Sequence, residues 1–252
     1  MMRITETVKQ LIIINVIFFI CSQLVGKPAY DLLSLHFPLN PQFKFWQPFT
    51  YMFMHDQFSF KHILFNMLGL WMFGTNLEDL WGAKKFLFFY ISCGLGAALL
   101  HVGINYITFH QAIDVLLDNG YTKTEIFSYL NKGQYNPAWL ELLTPNQFTG
   151  FAGAFVSPML GASGALYGIF IAYGILFPER EMMLFLIPIP IKVKYFISVM
   201  VLSDLYLGFR GSSFFGGHSD GVAHFAHLGG ALIGFIMMWY WKKNENNSRR
   251  WN

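Results

Sequence analysis

The chain has 252 residues, 54% of them hydrophobic and only 12% charged, where an average soluble domain carries about 25% charged residues. That deficit excludes an ordinary soluble globular class and points to lipid. A scattered net charge of +3 excludes a nucleic-acid surface. The two cysteines, Cys21 and Cys93, sit in apolar runs far from CxxC spacing, which excludes a disulfide framework or cysteine zinc site and leaves them as buried thiols.

Six segments have the roughly 17–25 mostly apolar residues that cross a bilayer. The first, near 10–26, lies between Lys9 and Lys27 with no small-x-small cleavage site after it, so it reads as an anchor helix and not a signal. The outer loop 27–61 holds Phe45-Trp46-Gln47-Pro48-Phe49, a composition suited to the membrane interface. The second and third spans fall near 62–78 and 86–107. Residues 108–160 form a polar outer-loop insert in which Thr122 and Glu125 have capping-box spacing ahead of Ile126-Phe127, predicting a short helix. A small soluble subdomain, a substrate-facing cap and a tolerated loop all stay open for this insert. The fourth span lies near 161–177. The fifth, near 193–209, starts beside Lys192 and Lys194 and contains Asp204, which makes it the weakest. The sixth, 222–241, is uncharged from Val222 to Trp241 and is followed by a polar tail, 242–252. The expected fold is an all-α polytopic membrane protein, one domain over 1–252 with six transmembrane helices.

An even number of spans puts both termini on one side. Eleven basic residues (Arg3, Lys9, Lys84, Lys85, Arg180, Lys192, Lys194, Lys242, Lys243, Arg249, Arg250) then share a face against six on the other (Lys27, Lys44, Lys61, Lys123, Lys132, Arg210). The bias predicts N-in, C-in. With no organelle-targeting extension ahead of the first span, the expected location is a bacterial cytoplasmic membrane.

Polar residues inside membrane spans are costly and need a reason. The fourth span opens Gly161-Ala162-Ser163-Gly164, with Tyr167 and Gly168 following; the sixth holds Ala226-His227 with Gly230 and Gly234; the second opens His62-x-x-x-Asn66. Ser163 lies 14 residues before Phe177, His227 14 before Trp241 and His62 15 before Leu77. At about 1.5 Å per residue, each sits roughly 21–23 Å above the inner boundary of a core about 30 Å thick, so all three share one layer below the outer surface. Gly230 and Gly234 lie on the face of His227, and Gly164 and Gly168 play the same part for the fourth span; small residues there let helices approach closely. His227 can then reach Ser163 as the base that activates it. Tyr167 shares the face of Ser163. His62 and Asn66, four apart, point one way and can donate to an oxyanion together with the Ser163 N–H.

These motifs, in this order, resemble the signature of the rhomboid intramembrane proteases over nearly the whole chain. The resemblance implies a six-helix core and hydrolysis of peptide bonds in or beside the transmembrane segments of substrates by a Ser163–His227 dyad without an acidic third member. It also implies that Tyr167 stacks on His227, that His62, Asn66 and the Ser163 amide form the oxyanion hole, and that neither metal nor organic cofactor is needed. The partners are membrane-protein substrates and lipid, with no nucleic acid. The family often has Trp-Arg in the first outer loop, where this chain has Trp46-Gln47. A further family histidine usually lies five residues before His62; here that position is Gln57, and His55 lies seven before.

Blander readings stand beside each residue. A lone Ser163 can bond its own backbone, a lone His227 can be a satisfied core residue, and Gly161-Ala162-Ser163-Gly164 alone is a packing motif. His62 and Asn66 suit an interfacial helix start, and Tyr167 suits ordinary packing. His224 and His227 are three apart, but no third metal ligand stands at an obvious spacing. Asp204 has no partner aspartate in another span and reads as a residue near the outer surface, paired with Arg210. His36, His101, His110 and His218 receive no role. Two rival functions remain: a catalytically dead relative that captures membrane clients, and a transporter. The transporter requires ionisable groups continuing toward the inner side, and the sequence lacks them.

Overall fold

A chain in lipid must close its backbone hydrogen bonds within each segment, and helices do so. The structure, a computed structural model, describes residues 3–184, 187–210 and 221–248 and is mostly helical. Helix α1 spans Glu6–Val25 and α2 Lys27–Leu33. The short α3, Gln47–Thr50, runs into a 3₁₀ turn, Tyr51–Phe53. Helix α4, Phe60–Gly69, one π-helical turn, Leu70–Gly74, and α5, Thr75–Trp81, follow one another without a break over the segment expected at 62–78. Among the described residues only α1 and the later α6 pass as crossing helices by length and apolarity alone.

Helix α6 spans Ala83–Asp118, 36 residues, or about 54 Å. It outruns the expected 86–107 because no glycine-bearing turn stops it before Asn119-Gly120. The insert beyond it folds as α7, Lys123–Asn131, α8, Trp139–Leu142, and α9, Pro145–Val156. The capping box at α7 is formed: the Thr122 hydroxyl accepts from the Glu125 N–H, and the Glu125 carboxylate accepts from the Thr122 N–H. Phe109, Ile113, Leu116, Ile126, Trp139, Phe151 and Phe155 make a second apolar core there, separate from that of the bundle. The insert is thus packed around its own interior and is not an irregular loop.

Helix α10, Ser163–Leu176, carries the serine at its first residue. The expectation of an all-α chain needs correcting after it. Strands β1, Glu181–Leu184, and β2, Ile187–Lys192, pair antiparallel, with Glu181 opposite Lys192. The physical reason lies in Ile187-Pro188-Ile189-Pro190-Ile191: alternate prolines remove amide donors and bar a helix, and they are tolerated where a strand has a free edge. Helices α11, Val193–Arg210, and α12, Gly221–Ser248, complete the chain.

Two contacts tie one end of the bundle together. The Glu78 carboxylate of α5 accepts from the Thr7 and Val8 N–H groups at 2.9 Å each, satisfying orphan donors of the first turn of α1. Trp81 and Trp241 meet edge to face at 5.4 Å, and the Lys85 ammonium lies 4.2 Å from the Trp241 ring. Such an aromatic and basic layer suits a membrane boundary.

Glycines set the spacing where α6, α10 and α12 meet. A Cβ on Gly230 would lie 1.8 Å from the Gly164 carbonyl oxygen, and one on Gly234 would lie 2.7 Å from the Gly168 Cα. A Cβ on Gly168 would lie 2.2 Å from Cys93 Sγ of α6. The helices therefore touch backbone to backbone, which only missing side chains permit. Gly230→Ala and Gly234→Leu are each expected to push α12 away from α10. Both should lower the melting temperature in detergent and the reactivity of Ser163 toward a fluorophosphonate; normal melting together with normal labelling would show that the contact is dispensable.

Candidate active site

Ser163 reaches its position through the extended segment before α10. The Leu35 and Met159 backbones exchange N–H···O bonds of 2.9 and 2.8 Å, and the Gly161 N–H donates to the Tyr51 carbonyl at 3.0 Å. Tyr51 is itself buried, its hydroxyl donating to the Gly94 carbonyl of α6 at 2.7 Å. Gly161 has φ 120°, a conformation L side chains rarely adopt. The turn thus needs glycine and delivers Ser163 to the start of a helix, where first-turn N–H groups lack intrahelical acceptors and the dipole favours negative charge.

Ser163 and His227 meet across α10 and α12: His227 Nε2 lies 2.9 Å from Ser163 Oγ. The Tyr167 and His227 rings stack at 4.2 Å with an interplanar angle of 8°. A hydroxyl bonded to imidazole in this way can surrender its proton as it attacks an electrophile.

His62 borders the same spot. A Cβ built on Gly161 would lie 2.9 Å from His62 Nε2 and 3.7 Å from Ser163 Oγ. On the other side of the ring, Nδ1 accepts the Asp56 N–H at 3.3 Å. An imidazole accepting at Nδ1 carries its proton at Nε2 when neutral, so His62 presents a donor beside the serine. Asn66 is buried one turn further along α4; its amide donates to the His62 carbonyl at 2.7 Å and has a second N–H to give. His55, despite its shifted spacing, packs against His62 with ring centres 5.1 Å apart. Burial pushes the His55 imidazole down to about 3, so it is a neutral neighbour.

Gln47 is fully buried in the outer loop. Its Oε1 accepts from the His36 and Lys44 N–H groups at 3.2 and 3.1 Å, and its Nε2 donates to the Asp31 and Gln42 carbonyls at 3.1 and 2.9 Å. The loop is gathered around one side chain.

The sequence reading missed one group. Asp204 is buried between α11 and α12, not placed at the surface, and its Oδ1 contacts His224 Nδ1 directly and lies 3.4 Å from His227 Nδ1. A carboxylate therefore stands behind His227, where the resemblance implies none. The Arg210 side chain and His218 lie outside the described residues. Asp204, His224 and His227 offer ligand atoms within 4.8 Å of one another, the third ligand that sequence spacing did not supply. A cavity of about 270 Å³ lies among Phe65, Gly69, Phe170, Met182 and Phe196.

Apolar helices joined through glycines, with a hydrogen-bonded serine and histidine near one end, define a helical membrane protein with a serine-hydrolase type of site. A family model described as Rhomboid domain matches residues 42–110 and 126–244, and the chain belongs to the rhomboid family, whose members are generally intramembrane serine proteases. The unmatched stretch between those ranges falls within the insert. The chain is also 27% identical over 198 residues to Rhomboid protein 1, mitochondrial, of Saccharomyces cerevisiae, covering 79% of this chain and 42% of that protein. The chain thus spans well under half the length of this relative.

The turn at Gly161 generates a prediction. Gly161→Ala puts a methyl against His62 and adds about 1–3 kcal/mol of backbone strain. Fluorophosphonate labelling of Ser163 should slow while the helical content by circular dichroism holds; unchanged labelling would mean that the turn is not what sets the serine.

Proposed function

We propose that this chain is an intramembrane serine endopeptidase that cuts peptide bonds in or beside the transmembrane segments of other membrane proteins. The observation that carries the reading is the 2.9 Å contact between His227 Nε2 and Ser163 Oγ, with Tyr167 stacked on the imidazole. Family membership supports the reaction class.

In this reading Ser163 Oγ attacks the substrate carbonyl while His227 Nε2 takes its proton. The tetrahedral oxyanion accepts hydrogen bonds from His62 Nε2–H, Asn66 and the Ser163 N–H, aided by the N-terminal end of α10. Collapse expels the amine, which takes the proton from His227 and leaves an acyl ester on Ser163. Water, deprotonated by His227, then hydrolyses the ester, and Ser163 regains its proton. Neither metal nor organic cofactor enters. Tyr167 fixes the ring plane, Gly161 makes the turn that delivers Ser163, and Gly164, Gly168, Gly230 and Gly234 bring the reacting helices together.

The six-span arrangement is part of the proposal: α1, α4 with α5, α6, α10, α11 and α12 cross the bilayer, with the insert on the outer side. In a bacterial cytoplasmic membrane, the location expected from the sequence, the basic-residue bias puts both termini in the cytoplasm. Water reaches the shallow serine from the outer face. A substrate helix enters sideways and unwinds locally, because its carbonyls are already hydrogen-bonded.

Purified protein is expected to cleave a single-span model substrate and to be labelled by a fluorophosphonate, whereas a client-binding relative would do neither. Ser163→Ala and His227→Ala should each abolish cleavage, without additive effect in the double variant, because the pair works as a unit. Asn66→Ala and His62→Ala should each lower turnover, by up to about 10²–10³-fold. Full activity in Ser163→Ala or His227→Ala would sink the mechanism, and unchanged turnover in His62→Ala/Asn66→Ala would remove those two residues from it.

The depth of Ser163 also places the cut. Mass spectrometry of fragments from a substrate of known orientation should map cleavage to the outer part of its transmembrane segment or just outside. Small residues and nearby Gly or Pro should speed it by freeing the carbonyl from its helical bond, and leucine there should slow it. Cleavage at the cytoplasmic end would contradict the orientation.

A further inference from the structure

We propose that Asp204 is a positioning residue for His227: its carboxylate holds the imidazole in the tautomer whose Nε2 is free to accept the Ser163 proton, and His224 anchors that carboxylate through the same oxygen. The proposal rests on the protease reading and adds a member to its site.

Geometry supplies the first step. His227 Nε2 faces Ser163 Oγ at 2.9 Å, while its Nδ1 faces Asp204 Oδ1 at 3.4 Å. The ring therefore stands between hydroxyl and carboxylate, with its plane set by the Tyr167 stack. An ionised carboxylate has only acceptors, so an imidazole nitrogen bonded to it carries the proton. With the proton on Nδ1, a neutral ring presents a lone pair at Nε2. In the reverse tautomer, an N–H would point at Ser163 and the ring could not take its proton.

His224 explains how the carboxylate stays in place. It lies three residues before His227 on α12, and its Nδ1 bonds the same Asp204 oxygen. The Asp204 side chain is only 7% exposed and that of His224 12%. Held by His224, Asp204 stays put while His227 gains and loses its proton in each cycle. The imidazolium formed during attack then meets an anion already oriented in a water-poor layer, the condition under which electrostatic stabilisation is strongest. A metal ion is the competing use of these three side chains, and a chelator separates it from the proposal.

The experiment compares wild type, Asp204→Asn and Ser163→Ala in detergent on a single-span substrate. Asp204→Asn keeps the shape of the side chain and removes the obligate acceptor. Turnover should fall about 10²–10⁴-fold, with KM and melting temperature unchanged and Ser163 labelling slowed in parallel. Nitrogen NMR of histidine-labelled wild type should show His227, assigned by its loss in His227→Gln, as the Nδ1–H tautomer. That measurement does not depend on the variant folding. Turnover within twofold of wild type in a folded Asp204→Asn, or an Nε2–H tautomer in wild type, would overturn the proposal. So would activity lost to a chelator and restored by zinc. A wild type that neither cleaves nor labels defeats the protease reading instead, and the tautomer measurement still decides the role of Asp204.

Discussion

The backbone-to-backbone approach of α10 and α12 is the constraint on which the rest of the molecule depends. The Gly164 carbonyl occupies the space where a side chain on Gly230 would begin. Lipid gives helices no hydrophobic reason to associate, so close packing must supply much of the attraction. The same contact fixes chemistry. Ser163 and His227 sit on opposite sides of that interface, and their 2.9 Å separation is a by-product of helices with no side chains between them. A small shift would lengthen the bond from hydroxyl to imidazole, and reactivity between positioned groups falls steeply with such misplacement.

A second layer of support comes from contacts away from that helix pair. Leu35, Tyr51 and Met159 hold the strand-like approach to Gly161 by main-chain bonds. Glu78 caps α1 from α5. Precision at the serine thus depends partly on main-chain bonds made by the segments before α10, while Glu78 is a buried polar group used to cap a helix end.

The helical segments, and the meeting of Ser163, His227 and His62 on neighbouring helices, were legible because hydropathy and rise per residue are fixed quantities. The end of α6 was not, because hydropathy stops near residue 107 while the helix continues until a glycine turn; apolarity and helicity are different signals. The hairpin was written in Pro188 and Pro190, whose meaning is lost when a window is scored only for apolarity. The core of the insert joins Phe109 to Trp139 and Phe155, a pairing no local period contains. Asp204 was legible in part. It stands eleven residues after Val193, about 16 Å along the fifth span. Which neighbours it meets depends on how α11 rotates against α12, and a single sequence does not encode that rotation locally.

Gln47 carries a consequence of another kind. Where relatives often place a cation, this chain gathers its outer loop with a neutral amide whose bonds all run to main-chain groups. Gln47 pairs no net charge, so these bonds leave ionic strength nothing to screen, unlike the Lys27–Asp31 ion pair in the same loop. An anionic lipid headgroup finds no guanidinium to draw away. The tie made by Gln47 is therefore indifferent to the electrolyte and to the headgroups beside it, and only the Lys27–Asp31 pair at the start of the loop answers to them.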